Sequence, residues 1–190
     1  VVWGSGAISR QAKPHPSAKY LAVRGPLSRE LVVENGGDCP EIYGDPAIIC
    51  KEVYNPHIEK KYKYGGFPHY VDHAYCAKRF DNPDILVINP LTDDIEKTIN
   101  QIVQCECIIT SSLHGWIVAH TYDIPAALVK FSDKLAGDGL KFADYAATVG
   151  ISDCTPRVFT KIANCTFTVK NRTPCSIKLC DSLRSFIFFR

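Results

Sequence analysis

The amino-acid sequence predicts an α/β fold built on a mostly parallel sheet, and three features carry the prediction. Strand-like and helix-like segments alternate along the chain. The runs Asp84-Ile85-Leu86-Val87-Ile88-Asn89 and Cys107-Ile108-Ile109-Thr110 are continuously apolar at their centres, as suits parallel strands covered on both faces. Between them, Ile95, Ile99, Ile102 and Val103 fall at i, i+4, i+7 and i+8, one face of a helix.

The elements follow in order. Val1 to Gly6 reads as a strand running into a glycine turn, and residues 10–18 as a loop. Tyr20 to Arg24 is a strand. Pro26 suits the first turn of the next helix, where its missing N–H is not needed, and Gly36-Gly37 stops that helix. Gly44-Asp45-Pro46-Ala47 is a turn into a short apolar piece, and residues 51–64 are a polar and aromatic connection. Residues 65–72 read as a turn, a short strand and a polar exit, and 73–80 as a short helix. Asp93, with Glu96 three residues on, gives the capping-box start of the next helix. After Thr110 come a loop at 111–115, a helix over 116–122, and the strand Ala126 to Val129. A polar loop at 132–139 leads to a helix over 142–149, closed by Gly150. Residues 152–175 are irregular, and 176–186 are a candidate closing helix.

Composition excludes several classes. Hydrophobic residues are 46% and charged residues 22%, so a packed core is affordable without cross-links. A net charge of +2, with basic residues dispersed, argues against a nucleic-acid binder. No apolar run approaches the roughly 18 residues of a membrane span, and no signal peptide is evident. Nine irregularly spaced cysteines without a CxxC do not form a disulfide framework or a structural zinc site, and no carboxylate cluster has metal-ligand spacing. We expect a reducing, cytoplasmic setting; the Asn-x-Thr triplets at Asn164 and Asn171 weigh little against it. The chain begins at Val1 and contains no Met, which leads us to expect a fragment of a longer protein.

Chemistry is sought where strands lead into helices, because ligands of such sheets bind there and helix N-termini favour anions. Two junctions carry suggestive side chains. In Ala22-Val23-Arg24-Gly25-Pro26-Leu27-Ser28, Arg24 stands at a strand exit and could clamp a carboxylate or phosphate through paired hydrogen bonds. The plainer alternative is an arginine paired with an acid such as Glu30 or Asp45. In Ser111-Ser112-Leu113-His114-Gly115, the hydroxyls and main-chain N–H groups can cradle an anion, Gly115 permits close backbone approach, and His114 can give a proton near neutral pH. His69 is as well suited to capping local backbone as to touching substrate. Trp116 and Tyr122 read as core residues.

These segments resemble the polysaccharide pyruvyl transferase family. The resemblance rests on Ala22 to Ser28, on Tyr43-Gly44-Asp45-Pro46-Ala47, and on Ser111 to Gly115 followed by Ile124-Pro125-Ala126. Phe67 to Asp72 and Gly139 to Tyr145 are similar to further family segments, so the likeness covers residues 1–151 and little of 155–190. It implies a Rossmann-like sheet with flanking helices, resembling the C-terminal half of a GT-B-type glycosyltransferase. On that reading residues 1–18 end a truncated N-terminal half, 19–155 form the donor-binding domain, and 156–190 are a C-terminal segment.

The implied activity is transfer of pyruvate from phosphoenolpyruvate, a co-substrate, to a sugar hydroxyl as a ketal, with no other cofactor. Arg24 and His114 would be catalytic, at a donor site where two neighbouring junctions pool positive potential for a small dianion. Gly25, Asp45, His69, Ser111, Ser112, Leu113, Gly115, Lys134 and Lys141 would bind substrate. Many relatives carry an arginine where this chain has Ser112, and Lys130, Lys134 or Lys141 would replace that cation. The base for the sugar hydroxyl is expected on the missing N-terminal half, with Asp45 and His69 as the weaker candidates. The alternatives are a glycosyltransferase using a nucleotide-sugar donor and a non-catalytic module that binds an anion or partner.

Overall fold

The computed structural model describes residues 1–162, 165, 166 and 168. Contact density divides them into two units: one built from Val1–Ile49 and Gly137–Cys154, the other from Cys50–Ala136 and the stretch beginning at Thr155. The expected closing helix at 176–186 lies outside the described residues.

The first unit starts with two short parallel strands, β1 (Val2–Trp3) and β2 (Tyr20–Ala22). A parallel bridge from Val23 to Tyr43 extends the pairing by one connection. Helix α1 (Pro26–Glu34) follows β2 with Pro26 at its start, as its missing N–H allows. Tyr20, Val23, Val32 and Cys39 form the local core. Far along the chain, α6 (Leu140–Val149) packs against α1 and ends at Gly150, whose φ of 70° is the left-handed cap that glycine tolerates best.

The second unit contains a parallel five-stranded sheet, so the α/β expectation holds. Its strands are β3 (Tyr62–Phe67), β4 (Ile85–Val87), β5 (Cys105–Thr110), β6 (Ala126–Lys130) and β7 (Arg157–Val158), in the order β4-β3-β5-β6-β7. The helices of this unit are α2 (Cys50–Val53), α3 (His73–Arg79), α4 (Ile95–Val103) and α5 (Leu113–Thr121). Helices α4 and α5 pack on β5, and α5 also packs on β6. Ile108, Ile109 and Thr110 are fully buried, as are Ala126 and Ala127, which is why these strands read as unbroken small or apolar runs. Trp116 and Tyr122 are core residues, as expected.

Several elements differ from the sequence reading, each for a physical reason. Strand β3 begins in what reads as a connection and runs straight through Gly65-Gly66. A side chain at Gly65 would meet the Ile108 Cδ1 at 2.5 Å and the Cys105 Sγ at 2.7 Å, so this glycine serves close strand packing and not a turn. Helix α5 starts at Leu113, three residues earlier than predicted, and takes in the His-Gly pair. Helix α4 is capped by Asp94, whose Oδ1 accepts from the Lys97 N–H at 2.8 Å, one residue beyond the predicted cap. Strand β7 lies in a stretch read as irregular. Cys105 is buried, whereas Cys50 and Cys107 are half-buried.

Candidate functional site

The sheet order fixes where a ligand crevice can lie in the second unit. The chain leaves β3 for β4 on one side, crosses back by α4 to β5, and then moves away to β6. The connections leaving β3 and β5 therefore diverge at the C-terminal edge. Such a switch point is where open parallel sheets bind ligands.

The side chains at this edge hold the two diverging loops in place. The Thr110 hydroxyl donates to the Phe67 carbonyl at 2.6 Å and accepts from the Ser112 N–H at 2.9 Å. The Ser111 hydroxyl accepts from the His69 N–H at 2.9 Å. Both hydroxyl residues, Thr110 and Ser111, are fully buried, so these bonds are shielded from water. The β3 exit and the β5 exit are thus stapled to each other at the switch point.

Helix α5 opens from this staple. Its N-cap, Ser112, has extended backbone and makes no side-chain cap bond. Main-chain N–H groups of a first turn point outward along the axis and carry partial positive charge. His114, the second residue of the helix, is exposed, while Leu113 and Gly115 are buried. Gly115 has a specific packing reason. A Cβ there would run into the Phe67 ring and stand 2.6 Å from the Thr110 Oγ1. The close approach that the sequence assigns to a ligand is made to the neighbouring strand, and it lets α5 begin tight against the sheet. Lys134, in the loop after β6, is exposed.

The other expected site residues belong to the first unit and form a different arrangement. Arg24 stands at the strand exit before α1, as predicted, but its side chain is only 6% exposed. Its Nε donates to the Asp144 carboxylate at 3.1 Å and its Nη2 to the Ala7 carbonyl at 2.5 Å. Asp144, on α6, is fully buried and also accepts from the Ser28 N–H at 2.9 Å and from the Ser28 hydroxyl at 2.5 Å. Ser28 is the third residue of α1, so Asp144 caps that helix from a distance. Burial pulls the Arg24 pKa below its ordinary value, and the charges of Asp144 and Asp45 oppose that fall.

Their neighbours complete the network. Gly25 has no room for a side chain: a Cβ would run into Asp144 and lie 2.7 Å from the Thr148 Oγ1. Asp45 is buried, and its Oδ1 accepts from the Ala47 N–H at 3.0 Å, forming a local turn. Lys141 lies with its Nζ 5.2 Å from the Phe142 ring centre; burial first, and then the Arg24 charge, lower its pKa. A cleft of about 350 Å³ opens beside this junction, walled by Ser5, Gly6, Lys13, Tyr20 and Ser28 among others. Arg24 is not among its walls. The guanidinium sits behind Gly6, where an added Cβ would come within 2.5 Å of the Arg24 Cζ.

The comparisons with known proteins bear on this arrangement. The profile of the polysaccharide pyruvyl transferase family matches residues 10–132, well over half of the chain. The chain belongs to the polysaccharide pyruvyl transferase family. The match takes in both strand-to-helix junctions. Among curated relatives, the uncharacterized protein L143 of Acanthamoeba polyphaga mimivirus is 38% identical over 114 residues, which is 57% of this chain and 40% of that protein. The succinoglycan biosynthesis protein ExoV of Rhizobium meliloti is 29% identical over 139 residues, 69% of this chain and 40% of ExoV. The chain thus spans about 40% of the length of each relative. No solved structure matches it significantly. Among the described residues, no helix is long and apolar enough to cross a membrane, and no three His, Cys, Asp or Glu side chains come together as a metal-binding group.

Two residues escaped the sequence reading. Asp144 lies within a segment that resembles the family, but nothing local marks it as the partner of Arg24. The signal would have been a buried acid on the α6 face, which needs the tertiary contact to be seen. Ser132, whose hydroxyl donates to the buried Asp72 carboxylate, sits in a loop with no motif.

Proposed function

We propose that this member of the polysaccharide pyruvyl transferase family binds phosphoenolpyruvate at the β3/β5 switch point and transfers its pyruvyl carbons to a sugar hydroxyl as a ketal. One observation carries the reading: a buried hydroxyl staple at a parallel-sheet switch point leads directly into a helix whose N-cap residue, Ser112, makes no side-chain cap bond, with an exposed histidine on its first turn. That combination offers main-chain donors to an anion and a titratable proton donor beside it.

In this reading the start of α5, with Ser112, holds one anionic group of the donor. His114 gives a proton to the donor methylene or steadies the charge on departing phosphate. Lys134 adds positive potential. Arg24 takes a different part from the one its position in the sequence suggests. Its strongest partner is an internal carboxylate, and withdrawing it toward a ligand would leave Asp144 buried and unpaired, which is costly. Arg24 therefore shapes the first unit and does not clamp the donor.

Calorimetric titration of the protein with phosphoenolpyruvate and, separately, with UDP-glucose tests the reading. Binding of phosphoenolpyruvate that His114→Ala weakens or abolishes supports it. Binding of UDP-glucose without phosphoenolpyruvate transfers the site to a nucleotide-sugar glycosyltransferase.

A further inference from the structure

The cleft of about 350 Å³ in the first unit takes no part in the transfer reading, and its walls have a definite chemistry. Its volume lies at the small end of the roughly 300–1,000 Å³ of small-molecule sites. It opens where the chain leaves β1, between the following loop and α1. Tyr20, Val23 and Val32 belong to the core of the unit, with Val2 packed against them, so the cleft floor is the hydrophobic core itself. Ile8, 57% exposed, and the half-buried Ala12 extend this apolar surface.

The polar groups of the cleft divide by whether the fold already uses them. The Tyr20 hydroxyl donates to the His15 carbonyl at 2.9 Å. The Ser28 hydroxyl accepts from the Ala7 N–H at 2.9 Å and donates to Asp144. Arg24 fixes the loop: its N–H donates to the Ser5 carbonyl at 3.2 Å and its Nη2 to the Ala7 carbonyl at 2.5 Å. In a trans peptide the next N–H points opposite to the carbonyl, so the Gly6 and Ile8 N–H groups face away from the arginine. Neither has a hydrogen bond among the described residues, and both residues wall the cleft. Lys13 is exposed, lines the cleft and makes no ion pair among the described residues. No wall residue is acidic. The groups that remain are hydrogen-bond donors beside an aliphatic floor.

That pairing selects the ligand. A bare anion gains from the lysine but not from the valines, and a neutral hydrocarbon leaves the ammonium unused. A nucleobase needs partners for its polar edge, and no Asn, Gln, Asp or Glu is among the walls. An aliphatic chain that ends in a phosphate or carboxylate uses both parts. We infer that this cleft binds an aliphatic anion, its chain on Val2, Val23 and Val32 and its charged head at Lys13 and the Gly6 and Ile8 N–H groups. The inference does not depend on the transfer reading and makes no use of the α5 start.

Calorimetry and NMR of the protein with octyl phosphate, octanoate, octanol and inorganic phosphate, each below any micelle concentration, test this. At least one of the two amphiphiles should bind saturably, shifting the amides of Gly6 and Ile8 and the methyl groups of Val23 and Val32. Removing either half of the ligand, as octanol or inorganic phosphate does, should weaken binding by at least about tenfold. Lys13→Ala should weaken the amphiphile by about five- to tenfold and leave the melting temperature unchanged. Ala12→Phe, which fills the cleft, should abolish binding. Should that variant fold poorly, Lys13→Ala decides alone.

The inference is overturned if neither amphiphile binds. It is equally overturned if octanol binds as tightly as the amphiphile and Lys13→Ala changes nothing, which marks adsorption to exposed apolar surface. Shifts at Gly6, Ile8 and Val23 with uridine monophosphate, while both amphiphiles stay silent, would replace the aliphatic ligand by a nucleotide.

Discussion

The starts of α1 and α5 look alike in sequence and differ in what they meet. Each follows a parallel strand, each contains small residues and a cationic or titratable side chain, and each has a glycine that no side chain could replace. At α1 the helix start is filled from within: the Asp144 carboxylate accepts from the Ser28 N–H and pairs with Arg24. At α5 the N-cap residue, Ser112, makes no side-chain cap bond, and the histidine beside it is exposed. A helix N-terminus favours an anion in both places. In one the anion is part of the fold, and in the other we assign it to the substrate. The lesson is that a strand-helix junction with an arginine is evidence of an anion, not evidence of a ligand.

Four changes would break or sharpen that contrast. His114→Ala should lower turnover by about 10²–10⁴-fold and change stability by less than about 0.5 kcal/mol, as expected for an exposed position. Near-normal turnover removes it from catalysis. Asp144→Ala should do the opposite, costing about 3–5 kcal/mol by leaving a buried guanidinium unpaired. Denaturant unfolding measures the loss, and Arg24→Met combined with Asp144→Leu should recover much of it. A single-variant cost near zero would mean that Arg24 has another partner.

Gly115→Ala sets a side chain against Phe67 and Thr110, and should cost about 1–3 kcal/mol by overpacking, with a loss of turnover because α5 must shift. An unchanged melting temperature would show that the α5 start does not depend on that contact. The smallest effect concerns Asp138, whose carboxylate accepts from the Arg10 and Leu140 N–H groups and is held below its usual range by those bonds, Arg10 first. A depressed carboxylate stabilises the fold above its unfolded pKa, and that contribution is lost as pH falls through the folded value. The melting temperature of Asp138→Asn should therefore lie slightly below wild type at neutral pH and converge with it in acid.

Much of this was legible in the sequence. The buried strands β5 and β6 announce themselves by unbroken small or apolar runs, and α4 by its stripe of isoleucines. Both junctions are visible as strand exits. What sequence could not show is contact over distance. Gly65 and Gly66 read as a turn because glycine is the usual turn residue; only the Ile108 and Cys105 side chains reveal why a glycine sits inside a strand. Gly115 reads as a loop residue for the same reason. The partner of Arg24 lies 120 positions away, beyond the acids that local sequence offers. Asp72 reads as a polar exit residue, and its unpaired oxygen exists only once the fold has buried it.

The central claim is that the dianionic donor is held by the start of α5. Amide NMR of the protein titrated with phosphoenolpyruvate tests it most directly. The account predicts saturable shifts at Ser112, Leu113, His114 and Gly115, with Ser28 and Gly25 unmoved. Shifts centred on Ser28 and the Arg24 side chain, with Leu113 to Gly115 silent, would contradict it.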